Sequence, residues 1–208
     1  MKHEWKKSEK SFYFPNVKPE HIIVPNFNFY TIEGEGNPND DKFAEYVGVL
    51  FSLSYAIKMG LKSAEVVPKN YDDYAVYPLE GVWDLKEEAK LNRNGKFDKN
   101  DLVFKLMIRQ PAFVTSDFAA DNIERTKTKK PHQLLDHVKF EMIEEGSCVQ
   151  MLHMGSFDNE PQSFKLMEQF AEEQQLKRKS LTHREIYLSD ARKTEPDRLR
   201  TILRFQVE

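Results

Sequence analysis

The residues best able to do chemistry in this sequence lie in one short run, His183-Arg184-Glu185-Ile186-Tyr187-Leu188. Its alternation is that of a β-strand, in which side chains two apart share a face, so His183, Glu185 and Tyr187 are expected together. A carboxylate taken out of water is costly unless paired, and its pKa rises, which suits it to holding a cation or to general acid/base work. A phenol on the same face could orient that carboxylate or give a proton to a leaving group, and an imidazole could act alongside them. Each has a plainer reading: a strand glutamate facing water, a tyrosine packing its ring in a sheet, a solvated histidine. Trp83 offers a flat stacking wall for a ligand. Phe104 and Met107, in a strand-like segment, and Tyr55, at the border between the polar and apolar faces of a helix, are further candidates whose competing reading is core packing.

Other chemistries find no foothold. The six histidines contain no His-x-x-x-His pair, and the single cysteine, Cys148, cannot build a zinc cluster. Gly-x-Gly-x-x-Gly, Gly-x-x-x-x-Gly-Lys-Ser/Thr and Gly-x-Ser-x-Gly are all absent, so no cofactor is expected and a serine or nucleotide-dependent enzyme is disfavoured. Lys plus Arg (31) nearly balances Asp plus Glu (34), and the net charge of -3 gives no general attraction for nucleic acid. The charged start Lys2-His3-Glu4-Trp5-Lys6-Lys7 precedes no apolar signal segment, and no run is long enough to span a bilayer. With one cysteine no intrachain disulfide can form, and a reducing, cytoplasmic setting is expected.

The elements that must position these residues can be read from periodicity. Residues 26–32 alternate like a half-buried strand and end at the breaker Gly34-Glu35-Gly36-Asn37-Pro38. Asn39 is placed to cap a helix with Asp40 and Asp41 in its first turn and Phe43, Tyr46, Val47, Leu50, Phe51, Ile57 and Leu61 as its apolar face; Gly60 marks its end. Strand-like segments follow at 74–83 and 102–110, separated by a polar stretch, 86–100, that contains the turn pair Asn94-Gly95. Residues 116–137 read as a connector of short helices around the basic loop 127–131. Val138, Phe140 and Met142 alternate, 147–154 reads as a strand stopped by Gly155, 161–177 as an amphipathic helix, and 183–188 and 203–207 as strands. The order strand, helix, strand, strand thus occurs twice, which points to a diverged internal duplication. An α+β fold is expected, with antiparallel sheets, helices on one side, and a ligand crevice between the halves.

The run Gln150-Met151-Leu152-His153-Met154-Gly155, followed by Asp158-Asn159-Glu160-Pro161, resembles a signature of GyrI-like small-molecule-binding domains. His183-Arg184-Glu185-Ile186-Tyr187-Leu188-Ser189-Asp190 with Arg192 resembles a second one, departing from it at Ala191, where proline is usual. The likeness is specific over 138–207 and looser over 18–115, and the charged insertion 86–100 is a further departure. The resemblance implies two β-α-β-β modules related by a pseudo-twofold axis, in one domain spanning 1–208 with modules at about 18–115 and 138–207. It also implies that the carboxylate of Glu185 lies inside the ligand pocket. In multidrug-responsive transcription activators such a domain is fused to a helix-turn-helix; none fits before His21 or after Val207, so a stand-alone member is expected.

Some stand-alone relatives are hydrolases that open the strained cyclopropane ring of aromatic, DNA-alkylating compounds. Two functions follow from the resemblance. One is capture of a flat, hydrophobic or cationic small molecule, as a sequestering protein or sensor. The other is addition of water across a strained ring, with Glu185 positioning or deprotonating the water and an aromatic hydroxyl, Tyr187 or Tyr55, assisting; Trp83, Phe104, Met107 and His183 would bind the ligand. A gyrase-inhibitor-like interaction protein is a third possibility, resting on family analogy alone.

Overall fold

A computed structural model gives the chain as α+β, with residues 3–91 and 98–208 described. The Asn94-Gly95 pair lies outside the described residues. Two compact units are distinguished among the described residues: one holds His3, Phe27–Tyr77 and Trp83–Ile143, the other Glu4–Asn26, Pro78–Val82 and Glu144–Glu208.

In the first unit, β2 (Phe27–Glu35) pairs antiparallel with both β4 (Leu102–Gln110) and β5 (Lys139–Ile143). The long helix α3 (Asp41–Lys62) covers one face of β2 and β4. Its buried residues Tyr46, Leu50, Leu53, Ile57 and Leu61 recur every three or four positions, the spacing of a helix with one core-facing stripe. Asp40, not Asn39, is its N-cap, and Gly60 lies inside it, so a lone glycine here is tolerated within the helix. The expected connector region carries α5 (Ser116–Lys129), capped by Thr115 and packed on α3. Asn122 fastens it, donating from Nδ2 to the Leu53 carbonyl and to Tyr30 Oη, each at 3.1 Å. Burial pushes the Tyr30 phenol well above its usual range, so it stays a neutral donor, here to the Ala119 carbonyl at 3.0 Å.

The segment expected as a strand at 74–83 is ordered as β3 (Leu79–Leu85) instead, beginning just after Pro78, which has no N–H to give a ladder. Residues Pro78–Val82 belong to the second unit and Trp83 onward to the first.

In the second unit, β6 (Gly146–Met154) pairs with β1 (Glu20–Val24) and β8 (Arg200–Gln206), and β8 pairs with β7 (His183–Tyr187), all antiparallel. Chain order within the two strand sets is therefore β2-α3-β3-β4 and β6-α6-β7-β8, with α6 at Glu160–Glu173. Helix α6 rests on Val149, Met151, Leu203 and Phe205 through Met167 and Ala171. It stops short of the expected residue 177 because Gln175 takes a left-handed conformation, φ 58°, while Leu176 and Gln175 N–H bond the Ala171 and Glu172 carbonyls. That is a Schellman end made without glycine, which leaves no compositional trace.

The opposite face of these strands carries a buried ionic network. Arg184 Nη1 donates to Glu80 Oε2 and Arg204 Nη1 to Glu145 Oε2, each at 2.9 Å. Arg184 Nε lies 3.1 Å from Glu145 Oε1 without hydrogen-bond alignment, so that contact is electrostatic. Of two short helices, α1 (Trp5–Ser8) and α2 (Lys10–Tyr13), the second adds further bonds: Arg204 Nη2 donates to the Phe12 carbonyl, Gln150 Nε2 to the Ser11 carbonyl, and Tyr13 Oη to Glu80 Oε1. Burial alone would raise the pKa of Glu145, but Arg184 and Arg204 outweigh it and hold the carboxyl below its usual range. Cys148 is fully buried in this unit, and burial pushes its thiol up to about 12.

Candidate functional site

On β7 the pleat sends His183, Glu185 and Tyr187 to one face and Arg184 and Ile186 to the other. Register fixes their neighbours. Glu185 lies opposite Leu203, itself opposite Met151; Tyr187 lies opposite Thr201, itself opposite His153. These two rows face α6. Tyr187 Oη donates to Glu185 Oε2 at 2.8 Å, and His183 Nε2 lies 3.2 Å from Glu185 Oε1. Both carboxylate oxygens are thus engaged, although Glu185 is only 8 % exposed. Rings flank the group: Phe157 meets Tyr187 edge-on at 6.1 Å, and Phe164 meets His183 at 4.7 Å.

The sequence reading left out Glu160. It opens α6, is 7 % exposed, and lies between Phe157 and Phe164, the two residues whose rings meet Tyr187 and His183 on either side of Glu185. Burial, then the charge and hydrogen bond of Glu185, then Asp158, drive its pKa far above the carboxylate range. A helix N-terminus favours an ionised carboxylate by at most about 2 kcal/mol, so here it loses to desolvation and like charge. Burial and the neighbouring carboxylate thus favour the protonated form of Glu160. Its place is set by His153. Nε2 meets the Ser156 carbonyl at 3.0 Å and must carry the ring proton, so in the neutral ring Nδ1 accepts from Ser163 Oγ at 2.8 Å. The turn between them runs through Gly155, at φ 123°.

The aromatic candidates lie in the first unit. Trp83 and Phe104 are almost fully buried, 5.4 Å apart, with Phe43 stacked on Trp83 at 5.9 Å. The Phe104 ring fills the space over Gly34 of β2, where an added Cβ would come within 2.5 Å of it. Replacing Gly34 with Ala should drive that ring off its neighbours at a cost of about 1–3 kcal/mol, read as a lowered denaturation midpoint with changed tryptophan emission. An unchanged midpoint would mean the ring moves aside freely. Met107 is buried but has the opposite parity on β4, so it and Phe104 project to opposite faces. Tyr55 is half-exposed on α3, with its ring 6.2 Å from Phe51. The structure thus brings together His183, Glu185 and Tyr187, and separately Trp83 and Phe104.

Among the described residues there is no cluster of side chains able to hold a metal ion, and no helix long and apolar enough to cross a membrane. A model of the GyrI-like small molecule binding domain matches residues 18–208. The chain belongs to the GyrI-like family. Among solved structures, this GyrI-like chain is similar to a hydrolase from Listeria innocua, at 36 % identity and TM-score 0.87, over 99 % of this chain and 100 % of that one. It is also similar to a hydrolase encoded by lin2189 from Listeria innocua, at 37 % identity and TM-score 0.89, over 100 % of both chains. The C-terminal domain of EcmrR, 11 % identical with a TM-score of 0.51 over 92 % of this chain and 97 % of that one, shares the fold alone. Comparison with curated proteins gives no match. The GyrI-like fold is a small-molecule-binding one.

Proposed function

We propose that this GyrI-like chain binds a flat, hydrophobic or cationic small molecule against Glu185 and hydrolyses it, strained cyclopropane-bearing, DNA-alkylating compounds being the substrate class. The carrying observation is a carboxylate shielded from water yet aligned by a phenol and an imidazole, next to a second buried carboxyl. Full-length similarity to proteins described as hydrolases supports turnover over mere retention.

In this reading Glu185 takes a proton from water as the water oxygen bonds to a ring carbon. The strained C–C bond breaks, and its electron pair passes into the conjugated acceptor of the substrate. Tyr187 Oη protonates that acceptor, and the 2.8 Å bond between Tyr187 and Glu185 returns the proton taken from water, so the net change is addition of one water.

The test is to incubate the purified protein with a cyclopropane-bearing alkylating compound and follow the compound's mass. Repeated turnover with gain of one water is expected. Saturable binding of unchanged compound would select the sequestering function in its place.

A further inference from the structure

The first turn of α6 and the strand β7 set two buried carboxyl groups side by side: Phe157 meets Tyr187 and Phe164 meets His183, and Glu160 and Glu185 lie between these two ring contacts. Two carboxyls so close and so poorly hydrated cannot both ionise without a compensating cation. Among the described residues, no lysine or arginine acts on Glu160. His183 and Tyr187 face Glu185, Asp158 adds negative charge beside Glu160, and His153 is engaged by Ser163 and the Ser156 carbonyl. Oε1 of Glu160 is buried and receives no hydrogen bond from a donor among the described residues.

We propose that Glu160 and Glu185 hold one proton between them, and that a cation seated at Glu185 expels it, so that ligand uptake exchanges a cation for a proton. This rests on the reading of Glu185 as the ligand carboxylate. On expulsion the O–H bond of Glu160 breaks, the proton passes to solvent, and the pair goes from one negative charge to two, which the bound cation balances. The site would then favour permanently charged aromatic cations over neutral analogues of the same shape, and increasingly so as pH rises.

Tetraphenylphosphonium, which has no proton of its own, is the probe. It is titrated at about pH 8.5, above the histidine range and below that of tyrosine, in two buffers of different ionisation enthalpy. The parent should release a measurable fraction of a proton per cation bound, and its affinity should climb with pH by up to about tenfold per unit. Glu160→Gln keeps a donor to Glu185 but has no proton to lose; it should bind without release and with a flatter pH dependence. Binding by the parent without proton release, or equal release by Glu160→Gln, overturns the exchange.

A Glu185→Gln protein that binds the cation as well as the parent would overturn the underlying reading instead, and the exchange with it, as would a parent that does not bind at all. The shared proton is then judged separately from unfolding curves. A pKa raised in the folded state makes folding take up a proton, so the parent should lose stability as pH rises from the ordinary glutamate range toward alkaline values, and Glu160→Gln should not. Parallel curves for the two proteins refute the shared proton.

Discussion

Glu185→Gln should leave the protein folded and cost about 10²–10⁴-fold in turnover, the usual effect of removing a positioned general base. Gln keeps the volume of Glu and one carbonyl oxygen for Tyr187 or His183, but it has neither the charge nor the basicity to take a proton from water. For a cationic ligand that is held but not turned over, losing a buried charged partner is expected to cost on the order of 2–5 kcal/mol of binding. The pair of measurements is kcat/KM by mass-detected turnover and Kd by calorimetry. Melting temperature should hold or rise, because the variant removes a buried charge while its amide oxygen can still accept a hydrogen bond. Parent-like turnover and affinity would reduce Glu185 to a satisfied polar residue of the sheet.

The largest effect on stability is expected from Glu145→Gln. Glu145 is the carboxylate shared by Arg184 and Arg204, whose side chains are 6 % and 3 % exposed. Removing its charge leaves two buried guanidiniums with Glu80 as their remaining anionic partner in this network, and uncompensated buried charge costs about 3–5 kcal/mol. Chemical denaturation at neutral pH measures the loss. The pH dependence gives an independent check. Because the folded pKa of Glu145 is depressed, its contribution is present above the unfolded glutamate value and is lost as pH falls through the folded one. The parent should therefore lose stability in acid, and the variant should lose less over the same interval. A loss below about 1 kcal/mol would show that water or a relaxed backbone solvates the arginines.

Much of this was legible in the sequence because periodicity reports faces. The alternation of 183–188 put His183, Glu185 and Tyr187 on one side, and the apolar stripe of 43–61 gave α3 to within a few residues. Periodicity does not report partners. Strand β5 alternates as expected, yet it pairs with β2, and β1 pairs with β6, because such pairings are decided by contacts far apart in the chain. Glu160 was hidden for the same reason. In sequence it is an acidic residue before a proline at a helix start, an ordinary terminal preference. Its chemistry exists only because β7, over twenty residues later, returns to that turn. The ionic network was equally silent, since Arg184 and Arg204 sit in strand-like runs where charge reads as solvent-facing.

The two faces of β7 carry opposite charge: Arg184 meets Glu80 and Glu145 on one side, while Glu185 meets Glu160 on the other. A slip of β7 by a single residue along β8 would turn every side chain over. Glu185 would then be pressed among Glu80 and Glu145, and Arg184 would be carried into the ring-lined side of the strand. Hydrophobic patterning alone would penalise such a slip only weakly, because a five-residue strand carrying four charged or titratable side chains has little apolar pattern to violate. Charge therefore acts as a parity check on the assembly of this strand pair. The carboxylate assigned to ligand chemistry also helps specify the alignment that puts it there.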